Sequence, residues 1–230
     1  SRFEPSGLIW QARAARYLVV SDDTGLKNQR EHSPWLFSMS ANGSLDPQPI
    51  PIQKSGLLKD LESITSDDDG ALYLLSSQSY SRKGKRSVER TQFLKVAPGP
   101  HSYDLVASQS LAQALDAQPP EFLEALGLKD GTRDLEIEAM SHWQGALYLG
   151  LKSPLTESGQ ALIWKLESPD SFLESGDITQ AGLSLWAQVK VPARMDGQSV
   201  PAGLSELLFL SNGALLMSST PSTGDSGTPT

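Results

Sequence analysis

Glutamates that recur at a nearly fixed distance before a glycine are the residues of this chain best suited to chemistry. Each of three lies seven or eight residues before its glycine: Glu62 before Gly70, Glu138 before Gly145 and Glu206 before Gly213. Carboxylates brought together from separate copies of one phrase would repel one another and resist burial. Each charge would therefore need a cation, a basic side chain or backbone N–H donors beside it.

A hard cation is one way to hold such carboxylates together. Ca²⁺ takes six to eight oxygen ligands, which these glutamates could supply together with Asp22, Asp23 or Gln78. The sequence thus predicts a possible Ca²⁺ site with four candidate metal ligands: Glu4, Glu62, Glu138 and Glu206. Two structural alternatives stay open, namely pairing with loop arginines such as Arg30, Arg82 or Arg90, and bonding to backbone N–H groups of a neighbouring copy. A functional alternative, direct catalysis by the glutamates, also stays open.

The elements that must position these residues are β-hairpins. Around each glycine, two apolar runs of strand length flank a turn, and a looser copy opens the chain near Glu4. Further strand patterns follow the hairpins, at residues 35–39, 50–52, 92–96, 103–106, 162–166 and 185–189. Four antiparallel strands that recur in this way are typical of a β-propeller blade.

The predicted fold is an all-β propeller of four-stranded antiparallel blades, a single domain over residues 1–230. About three and a half blades are expected, near residues 3–52, 60–108, 134–190 and 203–230. A closed ring of five or six blades would need the missing blades from further residues or from a second chain. Residues 111–126 predict a short helical insertion, which the pair Pro119 and Pro120 splits in two. The alternative is an open β-sandwich whose hairpins resemble one another by chance.

Propeller geometry predicts that the glutamates meet at one mouth of the central channel. The innermost strand of each blade starts at that mouth, and the loop after the second strand opens there as well. The predicted ligand-binding residues are accordingly Asp22, Gln78, Arg90 and Lys152, all in or beside these loops.

Composition excludes several classes of function. The net charge of −8, from 27 acidic and 19 basic residues, argues against a nucleic-acid partner. We interpret the basic run at residues 82–86 as a solvated loop. The absence of cysteine excludes disulfides, thiolate metal sites and cysteine nucleophiles. The apolar runs are too short to predict a membrane span.

Histidine chemistry finds little support. His32, His101 and His142 lie far apart, without the spacing of a histidine metal site. The run Gly-Asp-Ser-Gly at residues 224–227 matches the signature of a serine nucleophile. A triad would need one of the three histidines and an acid in reach, and the surrounding tail is typical of a loop, so we interpret the match as accidental.

Four segments resemble an uncharacterised bacterial β-propeller family, a domain of unknown function similar to the esterase-like-phytase propellers. They cover residues 60–64, 76–96, 137–140 and 150–167. The chain departs from the family pattern at four positions: Ser63 and Ala139 stand where the family has glycine, Gln78 where it has histidine, and Lys152 where it has arginine. The resemblance implies the propeller fold and no settled activity.

Three hypotheses of function follow. The first is an exported bacterial propeller, periplasmic or secreted, that binds a divalent cation or a small polar ligand at an acidic channel mouth. The second is a calcium-dependent hydrolase of lactones, esters or phosphoesters, with Glu62, Glu138 and Asp22 as metal ligands or base. The third is a scaffold that binds a protein partner through its long mouth loops.

Overall fold

The computed structural model describes residues 5–22, 36–81 and 83–221. The first sheet is antiparallel and has the order β1-β2-β3. Its strands are β1 (Pro5–Gln11), β2 (Arg16–Ser21) and β3 (Leu36–Ser40), with a 3-10 turn at Ala12–Ala14. Residues 45–50 run beside β3, because the N–H groups of Asp46 and Ile50 donate to carbonyls of β3 at 2.8 and 2.7 Å.

The second sheet has five strands in the order β4-β8-β7-β6-β5. They are β4 (Ile52–Gln53), β5 (Leu61–Ser66), β6 (Leu72–Ser76), β7 (Gln92–Pro98) and β8 (Tyr103–Ser110), with a 3-10 turn at Val88–Arg90. The sequence predicted that the segment around Ile52 completes the first blade. Instead β4 pairs in parallel with β8, and the Pro51 carbonyl accepts a bond from the Tyr103 N–H at 2.9 Å.

Two helices precede the third sheet, as the sequence predicted. They are α1 (Leu111–Asp116) and α2 (Pro120–Ala125). The Ser110 side chain caps α1, and Pro120 lies in the first turn of α2, where its missing N–H costs no helical bond. The sheet has the order β12-β11-β10-β9. Its elements are β9 (Glu136–Trp143), β10 (Ala146–Ser153), β11 (Ala161–Leu166), α3 (Pro169–Ser175) and β12 (Leu183–Val189).

Two hairpins follow the third sheet in the described part of the chain. They are β13 (Ala193–Met195) with β14 (Gln198–Val200), and β15 (Ala202–Phe209) with β16 (Leu215–Pro221). β15 lies beside β9 and β10 of the third sheet. The hairpin β15–β16 therefore occupies the position of the inner half of a fourth blade.

Three apolar cores separate the successive sheets. The first core joins the first and second sheets through residues such as Leu18 and Ile64. The second joins the second sheet, the helices and the third sheet, and includes the fully buried Trp164. The third joins the third sheet to the hairpin β15–β16 through residues such as Tyr148 and Leu207. The sheets thus stack one after another in chain order.

The inner strands of these sheets also lie side by side in chain order. β1 lies beside β5, β5 beside β9, and β9 beside β15. Sheets stacked face to face with their first strands innermost are the blades of a β-propeller, so the predicted fold class is confirmed. Among the described residues, no helix is both long enough and apolar enough to cross a membrane.

Candidate metal centre

Acidic residues of the first three blades meet in one cavity of about 1440 Å³. An inner strand begins beside the end of the second strand, because the two form an antiparallel hairpin. The charged residues that line the cavity include Asp22, Asp60, Glu62, Arg90, Glu136, Glu138 and Lys152. Three of the four predicted ligand-binding residues and two of the predicted metal ligands are among them.

β-Bulges aim two of the glutamates into this cavity. The pairing of β5 with β6 shifts between Leu61 and Ser63, so Glu62 occupies a bulge. Glu138 occupies the equivalent bulge of β9, between Ile137 and Ala139. A bulge inserts one unpaired residue and redirects its side chain. The two glutamates therefore share one local geometry, as their recurrence in the sequence predicted.

Asp60 is held in place by a set of short polar contacts just before β5. One of its carboxylate oxygens, Oδ2, pairs with the Arg90 guanidinium and accepts a bond from the Ser77 hydroxyl. Ser79 lies 3.5 Å from the same oxygen and accepts a bond from Arg90 at 2.9 Å. Within the described residues, the other oxygen, Oδ1, receives no hydrogen bond that would compete with a ligand.

The backbone at this point is unusual as well. Asp60 has a φ of 57°, in the left-handed region that few residues other than glycine adopt. The neighbouring loop residue Gln78 has a φ of 65°. Backbone in this region concentrates at functional sites, where surrounding contacts hold it.

Asp22, Asp60 and Glu62 form a group that could hold a metal ion. One carboxylate oxygen from each lies within 4.8 Å of the others. Asp22 follows β2 of the first blade, whereas Asp60 and Glu62 belong to the second blade. The group thus bridges two blades.

Electrostatics at the group favour a bound positive charge. Burial, together with the charges of Asp60 and Asp22, raises the pKa of Glu62 to about 9. Burial and the charge of Glu138 raise the pKa of Glu136 too. Lys152 pairs with Glu138, its Nζ lying 2.9 and 3.0 Å from the two carboxylate oxygens. With Arg90 and Lys152 already paired to other acids, Glu62 either keeps a proton or requires a cation.

Gln78 is the predicted ligand-binding residue that the structure does not bring to the cavity. Its side-chain N–H group donates to the carbonyls of Ser76 and Gln92 at 3.0 and 3.3 Å. Its side-chain oxygen accepts the N–H of Ala112 at 3.0 Å. The amide thus joins the loop after β6 to the start of α1, and it does not line the cavity.

Glu206 does not join the other glutamates either. The bulge of β15 falls on Ser205, between Leu204 and Glu206, so Glu206 lies one residue beyond the position that Glu62 occupies in β5. A one-residue offset moves a side chain to the other face of a strand. Burial raises the pKa of Glu206 to about 7, and the N–H of Leu207 donates to its carboxylate at 3.0 Å.

The remaining candidates, Glu4, Arg30 and Arg82, lie outside the described residues, as does His32. The acidic residues two positions before the bulge glutamates, Asp60 and Glu136, line the cavity but were not among the predicted ligands. A signal for both was present in the sequence: an acidic residue stands two positions before each bulge glutamate, as Asp-Leu-Glu at 60–62 and Glu-Ile-Glu at 136–138.

No protein-family model matches the sequence, and no curated protein sequence matches it. Solved propeller structures are distantly similar. The PQQ-bound aldose sugar dehydrogenase of Streptomyces coelicolor is 12% identical, with a TM-score of 0.42 over 89% of this chain and 52% of its own. The Dos1 propeller is 10% identical, with a TM-score of 0.40 over 94% of this chain and 52% of its own. U3-55K is 11% identical, with a TM-score of 0.40 over 96% of this chain and 63% of its own.

The chain thus spans about half the length of the first two of these structures. The likeness concerns the fold. The propeller fold implied by the sequence resemblance is confirmed by the strand topology, and membership of the resembled family stays a prediction.

Proposed function

We propose that this propeller binds a divalent cation at its channel mouth, through Asp22, Asp60 and Glu62. One observation carries the proposal: three carboxylates from two blades present oxygens within 4.8 Å of one another. Arg90 contacts only the Oδ2 oxygen of Asp60 in this group, which leaves Oδ1 available to an ion. Like charges at this spacing are stabilised by a cation between them.

Calcium is the ion that the ligand set fits best. The candidate ligands are all oxygens, which hard cations prefer, and the described cavity contributes no histidine of the kind that zinc sites use. Ca²⁺ accepts irregular geometry and completes its shell with water or ligand oxygens. Mg²⁺ demands a tighter octahedral arrangement.

A polar ligand would complete the shell of the ion from the cavity side. Arg90, Arg133 and Lys152 line the same space as the carboxylates. Serine and threonine hydroxyls also border it, including Ser79 in the loop after β6, Ser153 at the end of β10 and Thr156 in the loop after β10. This lining favours a small ligand with hydroxyl or anionic oxygens, one of which would bind the cation.

Calorimetric titration of the chain with CaCl₂ tests the proposal. We expect one site per chain in the wild type. Asp22→Asn and Glu62→Gln should each weaken binding by about tenfold or more, because each removes a charged ligand from the ion.

Glu206→Gln is the matched control. Glu206 is likewise a buried carboxyl on an inner strand with a raised pKa, but it does not line the cavity, so its variant should bind Ca²⁺ as the wild type does. Absence of any calcium heat in the wild type, or an equal loss of affinity in the control, would contradict the proposal.

A further inference from the structure

The helical insertion contacts the loop that joins β6 to β7 near the start of that loop. Gln78 is fully buried, and its side-chain oxygen accepts a hydrogen bond from the N–H group of Ala112 at 3.0 Å. Ala112 lies in the first turn of α1, where backbone N–H groups have no partner within the helix. Gln78 therefore satisfies a helix end from a distant part of the chain, while its side-chain N–H group donates to carbonyls of β6 and β7.

A second contact joins the same loop to the other end of α1. The Arg86 guanidinium lies 3.0 Å from the carboxylate of Asp116, the last residue of the helix, and it also donates to the carbonyl and the hydroxyl of Thr132. The Arg86 side chain is only 7% exposed, and its guanidinium lies over the ring of Tyr80 at 4.3 Å. Both ends of α1 thus contact the loop.

The same loop holds Asp60 in place. Ser77 and Arg90 both contact the Oδ2 oxygen of the Asp60 carboxylate. The backbone adds two bonds, because the N–H of Ser77 donates to the Asp60 carbonyl at 2.9 Å and the N–H of Gln78 donates to the Arg90 carbonyl at 3.0 Å. A displacement of Gln78 would therefore also displace the groups that orient Asp60.

We propose that the helical insertion positions the cation site through this loop, with Gln78 and Arg86 as positioning residues. Asp60 is one of the three carboxylates of the cation site, so this role rests on the proposed function. Neither Gln78 nor Arg86 lines the cavity, and both act through the loop. The backbone of Gln78 has a φ of 65°, a conformation that persists only where surrounding contacts hold it, and α1 supplies one of those contacts.

Loss of either contact should weaken calcium binding without removing a ligand. In Gln78→Ala the buried N–H of Ala112 loses its partner, and the loop is no longer tied to the start of α1. Asp60 would then adopt several orientations, and calcium binding would have to order it. Because groups that orient a metal ligand contribute about tenfold or more to metal affinity, we expect a loss of about tenfold for Gln78→Ala and about fivefold for Arg86→Ala.

Calorimetric titration with CaCl₂ measures these losses, at a temperature at which circular dichroism shows each variant to be folded. Gln109→Ala is the matched control. The Gln109 side chain likewise joins a strand of the second sheet to a helix, because it donates to the carbonyl of Leu173 in α3 at 3.2 Å, but it does not line the cavity. Its variant should bind calcium as the wild type does.

Hydrogen exchange of the calcium-free protein tests the positioning separately from the cation site. The backbone N–H groups of Ser77 and Gln78 are both hydrogen-bonded. They should exchange about tenfold faster in Gln78→Ala and Arg86→Ala than in the wild type, and at the wild-type rate in the control.

The two measurements distinguish the possible failures. A wild type that binds no calcium would contradict the proposed function, whereas unchanged exchange at these two N–H groups in both variants would overturn the positioning role. Calcium affinity that stays at the wild-type value in both variants, or that falls equally in the control, would overturn it as well.

Discussion

Glu62 lies where acidic side chains of the first and second blades come together. Its carboxyl is buried beside Asp60 and Asp22, and its pKa is raised to about 9. Arg90 and Lys152 offset other acids of the cavity, namely Asp60 and Glu138. At neutral pH and without a cation, Glu62 therefore holds a proton in the folded state.

This raised pKa predicts a pH-dependent stability for the cation-free protein. The unfolded chain loses the Glu62 proton near its ordinary value of 4.5, and the folded chain only near 9. Because the folded state binds the proton more tightly, its stability relative to Glu62→Gln should fall as the pH rises from 4.5 to 9. Melting temperatures with a chelator, at about pH 5 and pH 8.5, measure this difference.

The glutamine variant should melt close to the wild type at the lower pH and clearly above it at the higher pH. A difference in melting temperature that is the same at both values would contradict the raised pKa. Glu157→Gln serves as the control, because Glu157 lines the same cavity but is exposed.

Asp60 shows how the site combines two of the means of charge relief that the sequence left open. Arg90 pairs with Asp60, rather than with one of the glutamates for which the sequence proposed it, and Lys152 pairs with Glu138. The group of Asp22, Asp60 and Glu62 remains the part of the cavity that could hold a metal ion. The ion pairs at Asp60 and Glu138 are therefore compatible with the proposed cation site in the same cavity.

At the scale of elements, strand bulges decide which acids reach the cavity. The sequence analysis treated Glu206 as the equivalent of Glu138, because each lies seven residues before the glycine of its hairpin turn. The hairpin turns differ, however: β9 and β10 are joined by two residues, whereas β15 and β16 are joined by five. In register, the counterpart of Glu62 is Ser205. Residue spacing alone does not reveal a change of turn length that moves a side chain to the opposite face.

The local elements could be predicted because their signals are local. Hairpins follow from apolar runs around a glycine turn, and the break between α1 and α2 follows from Pro119 and Pro120. Long-range pairing gave no such signal. β4 joins β8, about fifty residues away, through backbone bonds that any residue could make. Likewise, the role of Gln78 depends on Ala112, which only the folded chain brings near.

Close backbone packing between the third blade and β15 predicts a sensitive position at Gly203. A Cβ atom added there would lie 2.0 Å from the carbonyl oxygen of Lys152. Gly203→Ala must therefore displace one strand from the other and should lower the free energy of unfolding by about 2 kcal/mol. Urea denaturation measures this loss.

Gly99→Ala is the comparison for Gly203→Ala. A Cβ atom at Gly99 would have its nearest neighbour at 3.2 Å, in a surface turn. An equal and small effect of the two substitutions would mean that β15 does not pack as closely on β10 as the structure shows.

At the scale of the whole molecule, the candidate site exists only because blades stack. Asp22 belongs to the first blade and reaches Asp60 and Glu62 of the second across the core that contains Leu18 and Ile64. Glu138 of the third blade lines the same cavity. No single hairpin carries the site, so the fold and the proposed function depend on the same radial arrangement.

A crystal structure of the chain grown with CaCl₂ tests this arrangement most directly. The account predicts one ion at the channel mouth, with oxygens of Asp22, Asp60 and Glu62 about 2.3–2.6 Å from it. An ion bound elsewhere, or these three carboxylates pointing apart with Glu62 protonated in the presence of calcium, would contradict it.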